Sequence, residues 1–145
     1  MPELEVSSQI DESVLPSEVV TRLERCWQQV LAELVTIGVG ELPQLDVLEI
    51  TVVDDPTITE VHAQFLEDPT PTDVITFPHG EILVSYDTAV RQSQDYQTDS
   101  LSELALYGIH GMLHLAGYDD KTAPEAQEMA TRQEQLLTRA WSEGL

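Results

Sequence analysis

The sequence predicts an α+β fold of the layered α/β type, in which a small mixed four-stranded sheet packs against about five helices. Three observations predict it. Strand and helix periodicities alternate through the first half of the chain, three helical patterns follow one another in the second half, and turn residues separate the segments. A length of 145 residues suits one compact domain with its own core, so residues 1–145 are assigned to a single domain.

The predicted elements run in the order β-α-β-α-β-β-α-α-α. Alternating or β-branched apolar runs predict the strands, and apolar stripes at helical spacing predict the helices. The segments are a strand at 4–10, a helix at 16–35, strands at 46–54, 74–77 and 81–87, helices at 55–65 and through 89–90, a helix from 99 or 100 to about 115, and a last helix from about 122 to 141.

Capping residues mark several of the predicted helix ends. Ser17 and Asp55 are the expected N-caps of the first two helices. Gly117 can adopt a left-handed conformation and ends the fourth helix. Thr122, with Glu125 three residues later, forms a capping box that starts the fifth helix.

The composition is strongly acidic, with 27 acidic residues against 6 basic ones and a formal net charge of −21. Such a surface repels phosphate backbones and anionic lipids, which disfavours non-specific nucleic-acid binding. We interpret the charge as a solubility or halotolerance trait in preference to a match for a specific basic partner.

Membrane and disulfide signals are missing from the sequence. No uncharged apolar run reaches the roughly 18 residues that a spanning helix needs, and the start MPELEVSSQIDE lacks the basic and apolar regions of a signal peptide. We therefore expect a cytoplasmic protein without membrane association. Cys26 is the single cysteine, so no internal disulfide can form, and its place in a helical stripe predicts a buried structural thiol.

The stretch HGMLHLAGYDD, residues 110–120, carries the chemistry. His110 and His114 are four residues apart, which places both rings on one helix face. Beyond Gly117 the chain can fold back, so that Asp120 reaches the same point. Two imidazoles and a carboxylate are a three-ligand set for zinc with a position left for water, which predicts a metal site at the end of a central buried helix.

Alternative interpretations of this stretch need weighing. The helix is apolar almost all round, and a histidine in such a helix is commonly a hydrogen-bonded core residue. Asp120 is also typical of a turn residue ahead of the next helix. The pattern resembles the metzincin peptidase motif, but Gly111 stands where a peptidase has its glutamate base. The two histidines, together with the glycine and the acid at these offsets, favour a metal site over the alternatives.

The remaining candidates have weaker support. His62 is predicted at a helix surface or boundary, and His79 at a strand end is either a turn residue or a substitute third ligand. Lys121 adjoins the motif, where it is either a phosphate contact or an exposed turn residue. Polar residues of the 70–76 segment are candidates for lining the cleft or for capping its loop; they are Thr70, Thr72, Asp73 and Thr76.

Three blocks of the chain resemble one family. HGMLHLAGYDD resembles the signature H-G-x-L-H-L-x-G-Y-D-H of the YbeY-type endoribonucleases, the rRNA maturation factors. FLEDPTPTDVITFP resembles the family's second block, and GEILVSYDTA resembles its strand and helix start. The blocks occur in the family's order and span roughly 48–120.

This resemblance implies a metal-dependent endoribonuclease specific for single strands, located in the cytoplasm and acting in small-subunit rRNA 3′-end maturation and ribosome quality control. It implies one Zn²⁺ ion, on His110, His114 and the position of Asp120, which are also the expected catalytic residues. Ni²⁺ or another divalent metal suits the same ligands. The implied partners are rRNA and the small ribosomal subunit, with a small-subunit ribosomal protein and an assembly GTPase, and neither DNA nor membrane.

Two positions depart from the family pattern. Asp120 replaces the third histidine ligand, and Leu66 replaces an arginine that the family has in the cleft. They leave three hypotheses: an rRNA-processing metalloendoribonuclease, a catalytically weakened or inactive ribosome-assembly factor of the same fold, and a small metallopeptidase. The absent base at Gly111 ranks the peptidase last.

Overall fold

A computed structural model describes residues 1–143 and confirms the predicted fold class. The described chain forms a four-stranded mixed sheet and five helices. The elements are β1 (Glu3–Ser8), α1 (Ser17–Val35), β2 (Val47–Val53), α2 (Asp55–Leu66), β3 (Val74–Phe77), β4 (Glu81–Ser85), α3 (Tyr86–Tyr96), α4 (Ser100–Leu115) and α5 (Ala123–Glu143). The assignment of residues 1–145 to one domain stays a prediction.

The sheet has the strand order β1-β2-β4-β3. β1, β2 and β4 are parallel, while β3 pairs antiparallel with β4 and forms one edge. The β3–β4 connection is a tight turn through Pro78 and Gly80, in which the Gly80 N–H donates to the Phe77 carbonyl at 3.0 Å and Gly80 has a φ of 105°. Alternation along β3 sends Thr76 to the α4 side of the sheet and Ile75 to the α2 side.

Helix α4 is the central element of the core. It packs on β3 and β4 and is flanked by α1, α3 and α5. Its apolar residues face every direction, as the sequence predicts for a buried helix. The fully buried members of the core include residues from α1, the sheet and α4; they are Trp27, Leu23, Leu31, Leu48, Ile50, Ile82, Leu104, Ile109 and Met112.

Two small residues let α4 approach its neighbours closely. A Cβ at Gly108 would lie 2.3 Å from Nε1 of Trp27, whose indole N–H donates to the Ala105 carbonyl at 3.0 Å. A Cβ at Gly111 would lie 2.9 Å from the side chains of both Ile82 and Thr76. The glycines therefore fix how deep α4 sits, and with it the position of the motif at its end.

The N-caps of α1 and α2 are each one residue earlier than predicted. Asp54 caps α2 by accepting a hydrogen bond from the Thr57 N–H at 2.9 Å. The Asp55 carboxylate instead accepts hydrogen bonds from side chains of α3. Ser17 is the first helical residue of α1, and Pro16 occupies the N-cap position without a side-chain cap. Both predictions were wrong: at α2 two adjacent aspartates compete for the cap, and at α1 Ser17 is already helical, with its carbonyl accepting from the Thr21 hydroxyl at 3.0 Å.

Other helix ends confirm the sequence predictions. Asp99 is the N-cap of α4, accepting from the Leu101 N–H at 3.2 Å. The Thr122 hydroxyl accepts from the Glu125 N–H at 3.3 Å, which is the forward bond of the predicted capping box, and it donates to the Glu125 carboxylate at 3.0 Å. Gly117, with a φ of 95°, ends α4.

The end of β1, a short 3-10 turn and the burial of Cys26 also bear on the sequence predictions. The first strand ends at Ser8, short of the predicted bound, and a short 3-10 turn at Leu42–Gln44 was not predicted. Cys26 is fully buried, as expected for a structural thiol, and burial raises its pKa to about 12. Among the helices of residues 1–143, none has the length and apolar character needed to cross a membrane.

Candidate metal centre

His110 and His114 present their rings on the same face of α4, one turn apart. Their Nε2 atoms lie 3.1 Å from each other, and the two ring planes are inclined by 83°. Both residues are half-buried. The sequence prediction that the two imidazoles converge is therefore confirmed as geometry, while their role as ligands stays a prediction.

The far nitrogen of each ring faces an acceptor. Nδ1 of His114 lies 3.2 Å from the backbone carbonyl of Tyr118, and Nδ1 of His110 lies 3.0 Å from Oε1 of Gln133 on α5. A backbone carbonyl only accepts, so Nδ1 of His114 is the donor in this contact, and the tautomer that makes it leaves a lone pair on Nε2. This is how proteins orient histidine ligands toward a metal.

Asp120 reaches the pair because the chain turns back after α4. The turn begins at Gly117, whose N–H donates to the His114 carbonyl at 3.1 Å. Oδ2 of Asp120 lies 3.8 Å from Nε2 of His114. One donor atom from each of the three residues lies within 4.8 Å of the others, and Asp120 is half exposed.

The donor set fits a divalent cation. Two ligands of a tetrahedral zinc ion are about 3.3 Å apart, given metal–ligand bonds near 2.0–2.1 Å. The 3.1 Å separation of the two Nε2 atoms matches this spacing. Two Nε2 lone pairs that face each other repel unless a proton or a cation lies between them. Asp120 sits further out than zinc geometry needs, and its exposed side chain is free to swing inward.

These three residues border an open cleft of about 760 Å³ between α4 and the edge strand β3. The strand wall is the one predicted from the sequence. The residues of the cleft are Glu41, Leu66, Asp73, Val74, Ile75, Thr76, Pro78, His110, His114, Leu115, Asp119, Asp120 and Lys121.

The polar candidates of the 70–76 segment divide between cleft and loop. Asp73 and Thr76 border the cleft, and Asp73 also accepts from the Val74 N–H at 2.8 Å. Thr70 is a loop residue whose hydroxyl donates to Asp68 at 2.6 Å. Thr72 is outside the set of described residues that border the cleft.

The remaining histidines lie away from the centre. His62 is part of α2, its side chain is 15% exposed, and its Nδ1 lies 2.8 Å from the Thr70 carbonyl. His79 is 68% exposed in the β3–β4 turn, with Nε2 3.3 Å from Glu81. Neither residue borders the cleft. His79 is therefore the turn residue of the two interpretations and not a substitute third ligand.

Electrostatics in the cleft are dominated by carboxylates. Four acidic residues border it, at 41, 73, 119 and 120, and Lys121 is the one basic residue among the described residues that do so. Its ammonium lies 3.7 Å from Asp119 and is largely exposed. Leu66, in the position where the family has its arginine, is 56% exposed at the rim. The cleft thus attracts cations more strongly than phosphates.

Gly111 provides no base and no room for one. It lies on the sheet side of α4 against Ile82 and Thr76, so a side chain there would meet the sheet.

The sequence could not have revealed two other members of the centre. Gln133 is 23 residues beyond His110, and the Tyr118 contact is made by a backbone carbonyl that any residue supplies.

A layered α+β fold with a histidine pair and a carboxylate at the open end of its buried helix places the chain among α+β proteins with a cleft that could hold a metal ion. Comparison with known proteins narrows this class. The sequence profile described as Endoribonuclease YbeY matches residues 9–140, and the chain belongs to that family.

Individual relatives agree with the family match. The chain is 31% identical to the endoribonuclease YbeY of Moorella thermoacetica, over 93% of this chain and 95% of the relative. It is 29% identical to that of Bacillus licheniformis, over 86% and 87% of the two chains. The solution structure of TM1509 from Thermotoga maritima superimposes with a TM-score of 0.61 at 25% identity, covering 97% of this chain and 90% of that one.

Proposed function

We propose that the protein is a metal-dependent endoribonuclease that cleaves single-stranded RNA and acts in the cytoplasm in small-subunit rRNA 3′-end maturation and ribosome quality control. The observation that carries the proposal is the convergence of donor atoms from His110, His114 and Asp120 inside a cleft. Membership of the endoribonuclease YbeY family supplies the reaction class. The proposed partners are rRNA in the small subunit, a small-subunit ribosomal protein and an assembly GTPase.

In this proposal His110, His114 and Asp120 hold one divalent ion, Zn²⁺ or another metal that accepts imidazole and carboxylate, such as Ni²⁺. A bound ion of this kind would lower the pKa of a water molecule and polarise a phosphate oxygen. The protein's own part is orientation: Gln133 and the Tyr118 carbonyl fix both imidazoles with Nε2 directed to the donor cluster.

Two features of this chain set the expected rate. Asp120 adds a negative charge where the family has an imidazole, so a bound ion is a weaker Lewis acid and acidifies its water less. Leu66 supplies no cation to the developing charge on the phosphate, and Lys121 is the nearest basic side chain in the cleft. We therefore expect slower cleavage than in relatives with histidine and arginine at these positions.

The test is cleavage of labelled single-stranded RNA by the purified chain, first stripped with a chelator and then reloaded with Zn²⁺, Ni²⁺ or Mn²⁺. His114→Ala should abolish cleavage and metal retention together. His62→Ala is the matched control, since that ring lies away from the cleft. Cleavage that survives His114→Ala, or that needs no metal, would refute the proposal.

The rRNA assignment has a separate test. Small-subunit precursor particles with an unprocessed 3′ end should be shortened by the wild-type protein and not by His114→Ala. An unrelated single-stranded RNA cleaved as fast as the precursor would remove the rRNA part of the proposal and leave the nuclease part intact.

A binding factor without catalysis is the second candidate, favoured by the same two departures at Leu66 and Asp120. It predicts copurification with small-subunit particles and no detectable nuclease activity. Under this candidate, the double change Leu66→Arg with Asp120→His should create activity in the retained cleft. Absence of any gain would count against it.

A metallopeptidase is disfavoured by the packing at Gly111, where a glutamate base would have to enter the sheet. Hydrolysis of casein by the metal-loaded chain, absent in His114→Ala, would be needed to revive this candidate.

A further inference from the structure

The described basic side chains are almost all engaged with other protein groups. Arg91 pairs with Asp55, Lys121 with Asp119, and both Arg132 and Arg139 pair with Glu33. Arg22 stacks on the Trp141 ring at 3.6 Å from its centroid. Together with the net charge of −21, this leaves few basic side chains to contact phosphates, so we infer that contacts with the bases supply a large part of the affinity for RNA.

Three rings, two of them exposed and one partly buried, lie on the face of the sheet opposite the cleft. We name Phe65, Phe77 and His79 the aromatic platform. Phe65 meets Phe77 edge to face with ring centroids 5.6 Å apart, and Phe77 stacks on His79 at 5.4 Å and 22°. Phe65 is 59% exposed, although Phe77 packs partly into the small core beneath α2.

Residues of the platform are chain neighbours of residues that border the cleft. Leu66, which borders the cleft, follows Phe65 directly in the chain, and Pro78 borders the cleft between Phe77 and His79. β3 is an edge strand, so no further strand separates the two faces on that side. We infer that an extended ligand leaving the cleft between Leu66 and Pro78 would pass toward the rings.

Resting on the proposed function, we propose that the aromatic platform is a base-stacking subsite for single-stranded RNA that extends beyond the metal cleft. Every base has a π-face, so exposed rings bind unpaired nucleotides with little sequence preference. The hollow beside the rings, about 470 Å³, is bordered by Val61, Leu83 and Glu81 besides the rings, and none of the described residues around it is an arginine or a lysine. It suits a flat uncharged base and not a phosphate.

The small size of the platform favours single-stranded RNA over a protein as its ligand. A stable protein interface uses about 20–30 residues on each side, whereas the exposed patch consists of three rings and a few apolar neighbours. A planar base needs only one exposed ring face. A duplex keeps its bases stacked on each other and offers none, so the platform selects single strands.

The binding test uses the full chain with chelator present, so that no cleavage occurs, and fluorescence anisotropy of a short labelled oligoribonucleotide. Phe65→Leu keeps an apolar side chain but removes the ring, and we expect about tenfold weaker binding. Tyr96→Leu is the matched control, because Tyr96 is a 70% exposed aromatic on α3 outside the platform, and its loss should leave affinity unchanged. Phe65→Tyr should restore binding.

Two further arms separate stacking from charge. An oligonucleotide with abasic sites should lose binding to the wild type as strongly as Phe65→Leu loses binding to the intact strand. Affinity should fall only slightly with added salt, because few phosphates are contacted. Equal affinity of Phe65→Leu and wild type, a steep salt dependence, or concentration-dependent self-association that Phe65→Leu removes without any RNA binding would each overturn the platform.

The outcome is distinguishable from that of the nuclease proposal. If the wild type cleaves RNA, and the Phe65→Leu variant binds and cleaves RNA as well as the wild type, the stacking proposal is wrong and the nuclease proposal is supported. If base-dependent binding needs Phe65 but no metal produces cleavage, the platform stands and the nuclease fails. If both hold, Phe65→Leu should raise KM for a long strand and leave kcat for a dinucleotide unchanged. Equal unfolding midpoints for Phe65→Leu and wild type will show that the fold is intact.

Discussion

Nδ1 of His110 lies 3.0 Å from Oε1 of Gln133, a side chain from a different helix. The contact joins α5 to the functional end of α4 and directs Nε2 of His110 toward His114. His114 depends on no side chain for the same purpose, since the Tyr118 carbonyl holds its ring. A substitution at Gln133 removes the acceptor of His110, whereas no side-chain substitution removes the backbone carbonyl that accepts from His114.

The first prediction concerns this support. Gln133→Leu should weaken the affinity for Zn²⁺ by about 10–100-fold, because the His110 ring loses its orienting acceptor. Competition with a chromophoric chelator measures the affinity. Gln127→Leu, an exposed glutamine on the same helix that contacts Thr131, should bind metal as the wild type does. Unchanged affinity in Gln133→Leu would show that the ring is held by packing alone.

The second prediction concerns the depth of α4. Replacing a mid-helix glycine by alanine ordinarily stabilises a helix by up to about 1 kcal/mol. At Gly108 the new Cβ would lie 2.3 Å from a buried indole nitrogen of Trp27. Gly108→Ala should therefore destabilise the protein by about 3 kcal/mol, seen as a lower free energy of unfolding in urea.

Gly111→Ala provides the graded comparison for Gly108→Ala. Its Cβ would meet the Ile82 methyl and the Thr76 hydroxyl at 2.9 Å, and both are side-chain ends that can rotate away. A loss of about 1 kcal/mol is expected. If Gly111→Ala proved the more damaging of the two, the close packing of Trp27 against α4 would be wrong.

The elements that the sequence predicts well are those whose signal is local. The apolar stripe of α1 and the continuous apolar character of α4 identify both helices, and the HGMLHLAGYDD stretch places two ring nitrogens and a carboxylate together. The turn at Gly117 is local too, because a positive φ favours glycine.

Features that depend on contacts between distant parts of the chain could not be predicted from the sequence. Asp54 and Asp55 are adjacent carboxylates, and either suits an N-cap; the tertiary contacts of Asp55 with α3 decide that Asp54 takes that role. The acceptor for His110 comes from a helix whose docking the sequence does not encode locally. The platform joins Phe77 of β3 to Phe65 of α2, so it depends on the face of the strand that Phe77 occupies and on how α2 packs against the sheet.

The third prediction concerns Cys26. Burial raises the pKa of this thiol to about 12, so at pH 8 only on the order of one molecule in ten thousand has the thiolate that reacts with disulfide reagents. The native protein should react with Ellman's reagent no faster than it unfolds, and in guanidinium chloride it should react at once and completely. Fast modification of the native protein would contradict the buried position of the sulfur.

The last prediction concerns Asp55 at the C-terminal ends of β2 and β4. Partial burial opposes its ionisation, but hydrogen bonds from Arg91, Ser85 and Thr88 outweigh that effect and hold its pKa below the ordinary value. Ser85 is fully buried, so its hydroxyl depends on this acceptor. Because the pKa is lower in the folded than in the unfolded state, the stabilisation is complete above about pH 4 and disappears as the pH falls through the folded-state pKa.

Asp55→Asn should therefore lower the free energy of unfolding at pH 7 by about 1–2 kcal/mol, and the difference from wild type should shrink toward pH 2. Urea titrations at a series of pH values measure both quantities. Asp95→Asn is the control, since it removes one carboxylate from an exposed position on the neighbouring helix α3. A difference between Asp55→Asn and wild type that is the same at pH 7 and pH 2 would mean that the contact acts through shape and not through the charge of the carboxylate.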